Sequence, residues 1–206
     1  MEPIAKSVGA QVLVTDDADA LKTVADELGL SHHVCKSHVK RNTQALIEEL
    51  CPKAATDEDG SLSACGVDPG QAEADLKRLL ELIVSRKPEE VVQVQEMHQR
   101  YLKATPPRKG ERASLAYRLR RLFLDRYKLW SRLTGYRKWN ERHDDQERLD
   151  GTNNACERAI GWWIKERYRS MRGYKVPANA VCVSRLLAWC GNFLNRGGAN
   201  LASLIG

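Results

Sequence analysis

The sequence predicts an α/β fold that is mainly helical by content, and two observations carry that prediction. The first is a short, nearly continuous apolar run at residues 10–15, bounded by Gly9 on one side and by Asp16 and Asp17 on the other. Such a run suits a strand covered on both faces in a parallel sheet. The second is the long stretch over residues 71–146, where apolar residues recur at helical spacing and nothing reads as a strand.

The elements follow in order. Residues 1–8 read as the end of a helix. After the first strand, Asp17 is placed to cap a helix in which Leu21, Val24, Ala25 and Leu28 repeat at helical spacing, with Gly29 ending it. Residues 31–36 form a weaker second strand, and residues 39–50 return to helix, ending before Pro52. Asp16 is therefore expected at the carboxyl end of a parallel strand, the edge at which open α/β sheets place their sites. Residues 53–70 read as a polar loop. Helices are expected over 72–86, from Pro88 to about Lys103, and over 115–134 with Gly135 closing the last; Pro106, Pro107 and Gly110 form a hinge. The implied organisation is an α/β core over residues 1–52, a loop and helical insertion over 53–148, and C-terminal helices over 149–206.

Residues 149–174 read LDGTNNACERAIGWWIKERYRSMRGY. A turn at Asp150 and Gly151 leads to capping side chains at Thr152, Asn153 and Asn154, and Glu157 stands three residues after Asn154, as in a capping box. A helix is expected to about Arg172, stopped by Gly173 and Pro177. Arg158, Trp162, Lys165, Arg169 and Arg172 fall on one stripe of it. Like charges at that spacing destabilise an isolated helix by a few tenths of a kcal/mol per pair, roughly, and a bound anion would offset this. Glu157 reads either as a cap or as a metal-binding carboxylate beside that basic row. Pro177 then opens a last helix carrying Val181, Leu186, Leu187, Cys190 and Leu194.

The chain has 206 residues, 42% hydrophobic and 29% charged, a globular balance rather than a disordered one. It contains no apolar run near the length of a membrane span and opens on no signal-peptide pattern, so a cytoplasmic, non-membrane protein is expected. The six cysteines follow no disulfide framework and suit reduced thiols, mostly buried. Charge is uneven. Residues 101–142 hold thirteen Lys and Arg against three acids, whereas residues 1–30 hold two bases against six acids. That asymmetry points to a polyanionic partner, most simply nucleic acid. The plainer reading is a solvated helix surface, which the interleaved Tyr117, Phe123, Tyr127, Trp130, Tyr136 and Trp139 make less complete an answer, although most of these suit a core.

Asp16 and Glu157, both at element ends, form a candidate carboxylate pair for a hard cation such as Mg²⁺, which takes a few carboxylates together with substrate phosphate oxygens. Cys35 and His38, with Cys51 and Cys65, have intervals too long and irregular for a structural zinc site; Cys35 and His38 read as a packing or DNA-contact feature. His32, His33, His98 and His143 read as ordinary surface or helix residues. A receiver-domain reading of the opening strand, acidic pair and helix fails for want of later strands bearing the phosphorylated Asp and the Lys.

Two blocks carry a family resemblance. VLVTDDADALKTVADELGLSHHVCKSHVKRN resembles the segment around the second catalytic Asp of DDE-type insertion-sequence transposases, where an apolar strand ends in Asp and Cys-x-x-His with a basic Arg-Asn follows. DGTNNACERAIGWWIKERYRSMRGY resembles their C-terminal block, in which an Asn pair precedes the catalytic Glu and a basic stripe follows. The blocks occur in the family's order, separated by a mainly helical insertion, and cover about half of the chain.

The resemblance implies a partial ribonuclease H-like fold. Asp16 (Asp17 if the register slips by one) would be the second metal carboxylate and Glu157 the third, with Mg²⁺ or Mn²⁺ as cofactor. Arg158, Trp162, Lys165, Arg167, Arg169 and Arg172 would contact DNA. It also implies homo-oligomerisation of the full-length enzyme and a prokaryotic, nucleoid-associated setting. The family's first strand and first Asp precede the segment that starts here, so a C-terminal fragment, inactive alone, is expected. A non-catalytic DNA-binding protein using the basic helices is the alternative.

Overall fold

Strand β1 (Val12–Thr15) and strand β2 (Ser31–Val34) pair in parallel, Val12 opposite Ser31 and Thr15 opposite Val34. Backbone hydrogen bonds extend the register at both ends, from Ser31 N to Gln11 O (3.0 Å) and from Cys35 N to Thr15 O (2.7 Å). The computed structural model describes residues 9–143, 148–154, 157, 181–182 and 185. The chain divides into two units, Met1–Thr152 and Asn153–Gly206.

Helix α1 (Asp19–Glu27) makes the crossover between the strands and ends at Leu28, with Gly29 at φ +64° as the sequence predicts. Its start differs from expectation. The N-cap is Ala18, without a side-chain cap, and Asp17 binds Lys22 Nζ at 2.7 Å instead of capping. A lysine within reach supplies a stronger, charged partner for that carboxylate than an amide of the first turn would. β2 differs too: His32 and His33 are 8% and 4% exposed, so neither is a surface residue.

Helix α2 (Lys36–Thr56) runs through Pro52 rather than stopping before it. Proline removes one amide donor, but Thr56 Oγ1 returns a hydrogen bond to Pro52 O at 3.3 Å and the last turn closes on Asp57 in the left-handed region (φ 44°). The segment expected to be a loop is a set of caps. Asp57 accepts from Leu62 N, Ser63 N and Ser63 Oγ (3.0, 3.0 and 2.7 Å), holding the short helix α3 (Ser61–Cys65). Asp59 accepts from Leu115 N at 2.8 Å and Ser61 Oγ from Ala116 N at 2.9 Å. These two residues therefore satisfy amides that the first turn of the helix beginning at Leu115 leaves without partners. Asp68 caps helix α4 (Pro69–Ser85), with Pro69 at its first position.

A 3₁₀ turn (Pro88–Glu90) leads to helix α5 (Val91–Arg100), shorter than predicted, and the chain returns in helix α6 (Leu115–Arg142). Helix α6 spans about 42 Å at 1.5 Å per residue. It passes Gly135 without a break. The core lies among α2, α4, α5 and α6, where Leu50, Leu76, Leu79, Leu82, Ile83, Val94, Leu119, Phe123, Trp130 and Leu133 are buried. Tyr101 stacks on Phe123 with ring centroids 5.3 Å apart, and Trp130 Nε1 donates to Lys87 O at 3.1 Å. Phe123, Trp130 and Tyr136 are thus buried, and Tyr117 and Tyr127 pack against the core. No helix among the described residues is long and apolar enough to cross a membrane.

Gly135 is where α6 meets β2. A Cβ at this position would stand 2.7 Å from Cδ2 and 2.9 Å from Nε2 of His33. The glycine is there for approach, not for termination. Gly135→Ala gains about 1 kcal/mol of helix propensity, but overpacking a buried ring costs about 1–3 kcal/mol. The variant is expected to unfold at lower denaturant than the parent. Adding His33→Ala should make the double variant less unstable than the two single effects sum to, which a double-mutant cycle measures.

Candidate functional site

Asp16 follows the last residue of β1 and is exposed. Its carboxylate accepts one long backbone hydrogen bond, from Ala18 N at 3.4 Å, whereas Asp17 is taken by Lys22. Of the adjacent pair, Asp16 is the carboxylate left open at the sheet edge.

A chain of polar contacts fixes the backbone there. Arg132 Nη1 lies 3.3 Å from His32 Nδ1, His32 Nε2 lies 2.8 Å from Thr15 Oγ1, and Thr15 Oγ1 donates to Asp16 O at 2.8 Å. Because arginine only donates, His32 Nδ1 must accept. The neutral ring then carries its proton on Nε2 and donates to Thr15, whose own hydroxyl proton is committed to the Asp16 carbonyl. The direction runs without a break from helix α6 to the strand edge. Burial, then Arg132 and Lys22, hold His32 below the ordinary histidine range; burial and then His32 do the same for His33.

Beside this edge opens a cleft of about 370 Å³ lined by Asp17, Lys22, Asp125, Arg126, Lys128, Leu129 and Arg132. Arg126 is partly buried and donates from Nε to Thr43 Oγ1 at 2.8 Å. Desolvation pulls its guanidinium below the usual arginine value, with Asp17 and Asp125 opposing. Sequence reasoning counted these bases without singling them out. What distinguishes them is the strand-edge acid that the fold brings opposite, which no local spacing reveals.

Other arginines in this part of the chain join segments of the unit. Arg118 pairs with Glu49 at 2.7 Å, Arg120 donates to Ala104 O at 2.6 Å, and Arg137 donates to Ser85 O at 2.8 Å. Arg100 closes on the buried Asp75, which also accepts from Tyr101.

The chain leaves this unit at the same sheet edge. Lys36 N donates to Gly151 O (2.9 Å), Lys36 Nζ binds Asp150 (2.8 Å), and Asn140 exchanges two hydrogen bonds with the backbone of Leu149 (3.0 and 2.8 Å). Gly151, at φ +69°, packs so closely on Tyr136 that a Cβ would meet the ring at 2.7 Å.

In the second unit, Asn154 and Glu157 are helical and exposed, and Glu157 N donates to Asn153 O at 2.9 Å. That bond makes Asn153 the N-cap and puts Glu157 at the fourth helical position. The box expected from Asn154 needs Glu at the third, so its register is not the one formed. Arg158, Trp162, Lys165, Arg167, Arg169 and Arg172 lie outside the described residues.

Cys35 is fully buried at the start of α2 and Cys65 is buried, with burial pushing the Cys65 thiol up. Among the described residues no three His, Cys, Asp or Glu side chains gather as a metal-holding group. Asp16 carries hard oxygen donors of the kind Mg²⁺ takes, and alone it could offer one ligand of such a set.

The two buried imidazoles set a pH dependence. Both are lowered in the folded state, so above about pH 6.5, the unperturbed histidine value, they are neutral folded or unfolded and their contribution to stability is complete. As pH falls below that value the unfolded chain binds more protons, and stability declines through the lowered folded-state values. Denaturant midpoints measured from pH 7.5 to 5 are expected to fall, and His32→Gln to flatten part of the slope.

Comparison of the chain with protein-family models, with curated proteins and with solved structures returns no match.

Proposed function

We propose that the chain acts in DNA transposition, as the part of a metal-dependent DDE-type transposase that supplies the second and third carboxylates of a ribonuclease H-like catalytic domain. The observation that carries this reading is Asp16: an open carboxylate at the carboxyl edge of a parallel strand, its backbone carbonyl held by a directed polar chain and a cationic cleft beside it. An exposed acid beside such a cleft would only repel nucleic-acid phosphates unless a cation stood between them. A DNA-binding protein without metal chemistry leaves that carboxylate without a role, which is why the enzyme is the preferred reading.

Asp16 and Glu157 are the residues assigned to hold Mg²⁺ or Mn²⁺. Bound there, the metal supplies the activation of an attacking oxygen and the stabilisation of a leaving one in phosphodiester chemistry. Arg158, Trp162, Lys165, Arg167, Arg169 and Arg172 are assigned to the transposon-end DNA, and pairing of two ends calls for self-association of the working enzyme. The polar chain from Arg132 to Asp16 limits backbone movement at the first of these ligands, as a preorganised site requires.

Ferrous iron substituted for magnesium, with ascorbate and peroxide, is expected to cut the polypeptide near residues 16 and 157. Cutting at only one of the two positions, or none, counts against the shared site. In assays on transposon-end DNA, joined to whichever polypeptide carries the remaining carboxylate, Glu157→Gln and Asp16→Asn should each abolish Mg²⁺-dependent cleavage while DNA binding persists. Undiminished cleavage in Glu157→Gln would sink the metal assignment.

A further inference from the structure

We infer that the cleft between the β1–α1 loop and helix α6 takes a backbone phosphate of nucleic acid, gripped by the guanidinium of Arg126 with Lys128 as a second positive charge. The cleft stands on its own geometry; the identification of the phosphate's source rests on the nucleic-acid reading above.

Arg126 is set for this role by how little of it is used internally. Its Nε is pinned to the hydroxyl of Thr43, a residue with no exposed surface, so the guanidinium plane is held between α2 and α6. Among the described residues its two terminal nitrogens make no hydrogen bond or ion pair, and the residue lines the cleft. A guanidinium fixed at one nitrogen, with two more donors facing the cleft, is preorganised to take a further acceptor there. The planar fork matches two oxygens of a phosphate, for which arginine is better suited than a point charge.

The other groups decide the sign of the site. Asp17 binds Lys22 at 2.7 Å, a lysine it shares with the exposed Asp19 at 2.9 Å, and Asp125 faces Arg121 at 3.8 Å. Arg132 is occupied by His32, with Asp26 at 3.9 Å. Lys128 is exposed and makes no ion pair among the described residues. The cleft lining holds four bases against two acids, so it keeps a positive excess to which Arg126 and Lys128 contribute; Lys128 stands one turn and Arg126 six residues before Arg132 on the same helix. The location agrees with the charge, since the carboxyl edge of parallel strands is where such folds bind ligands. An extended polyanion passing Asp16 would bring its neighbouring phosphate to this cleft.

The test uses the full chain and a fluorescein-labelled DNA duplex, with affinity followed by anisotropy over a range of salt. Arg126→Gln and Lys128→Gln should each weaken binding and make the plot of log affinity against log salt shallower by about one ion. Arg126→Lys should keep the parent's slope with weaker binding, because charge is retained and the fork is lost. Lys128 is exposed, so its variant tests the cleft even if the loss of the Thr43 contact unfolds Arg126→Gln; circular dichroism checks both. In a second arm, inorganic phosphate should raise the melting temperature of the parent and not of Arg126→Gln.

Parent binding to DNA with unchanged slopes in both variants overturns the cleft and leaves the nucleic-acid reading intact. No DNA binding, with phosphate stabilisation that depends on Arg126, keeps the oxyanion site and removes nucleic acid as its source. Neither response overturns both.

Discussion

The imidazole of His33 fills the space in which any side chain at position 135 would stand, and a 28-residue helix is brought against a two-stranded sheet through that gap. The rest of the first unit depends on this approach. With α6 close to β2, Arg132 reaches His32 and the polar chain to Asp16 can form; less than a turn earlier, Leu129 and Trp130 are already in the helical core. One helix thus serves two neighbours along its length. Its first half packs on α5 and on the cap residues Asp59 and Ser61, and its second half covers the strands.

Arginine gives this unit much of its connectivity. A chain of this size must hold helices together across irregular joints, and long guanidinium side chains do so by donating to carbonyls and acids on neighbouring segments. Partly exposed pairs of this kind each contribute about 0–1 kcal/mol, so their value lies in fixing direction and register more than in total stability. The basic excess in residues 101–142 accordingly includes two kinds of residue. Arg118, Arg120 and Arg137 join segments, and Arg126 with Lys128 retains positive charge directed at the strand edge.

The strands and the edge carboxylate were legible because their signals are local: an apolar run, a glycine before it, acids after it. Helix α1 and its glycine stop were legible for the same reason. Errors arose where one residue type serves two ends. Gly135 looked like a helix terminator, although the apolar spacing continues beyond it through Tyr136 and Trp139, a sign that the helix does not stop. Asp57, Asp59 and Ser61 looked like loop composition because their partners are first-turn amides, in one case 56 residues away. The burial of His32 and His33 had no local sign. It follows from the packing of α6, which depends on sequence a hundred residues downstream. At the candidate site, Asp16 was readable, whereas the role of Arg126 becomes visible only when Thr43 is seen to hold it.

The clasp between Lys36 and the Asp150–Gly151 turn has a consequence for how this chain can change. The whole helical excursion from α2 to α6 begins and ends at hydrogen-bonded neighbours, so it is topologically a closed loop hung from the strand edge. The entropic cost of closing a loop grows only with the logarithm of its length, about 0.6 kcal/mol per doubling. Lengthening or shortening the outer parts of the excursion is therefore thermodynamically mild as long as the neck is kept. Evolution is free to remodel the suspended helices, while Gly151, Lys36 and Tyr136 bear the constraint for all of them.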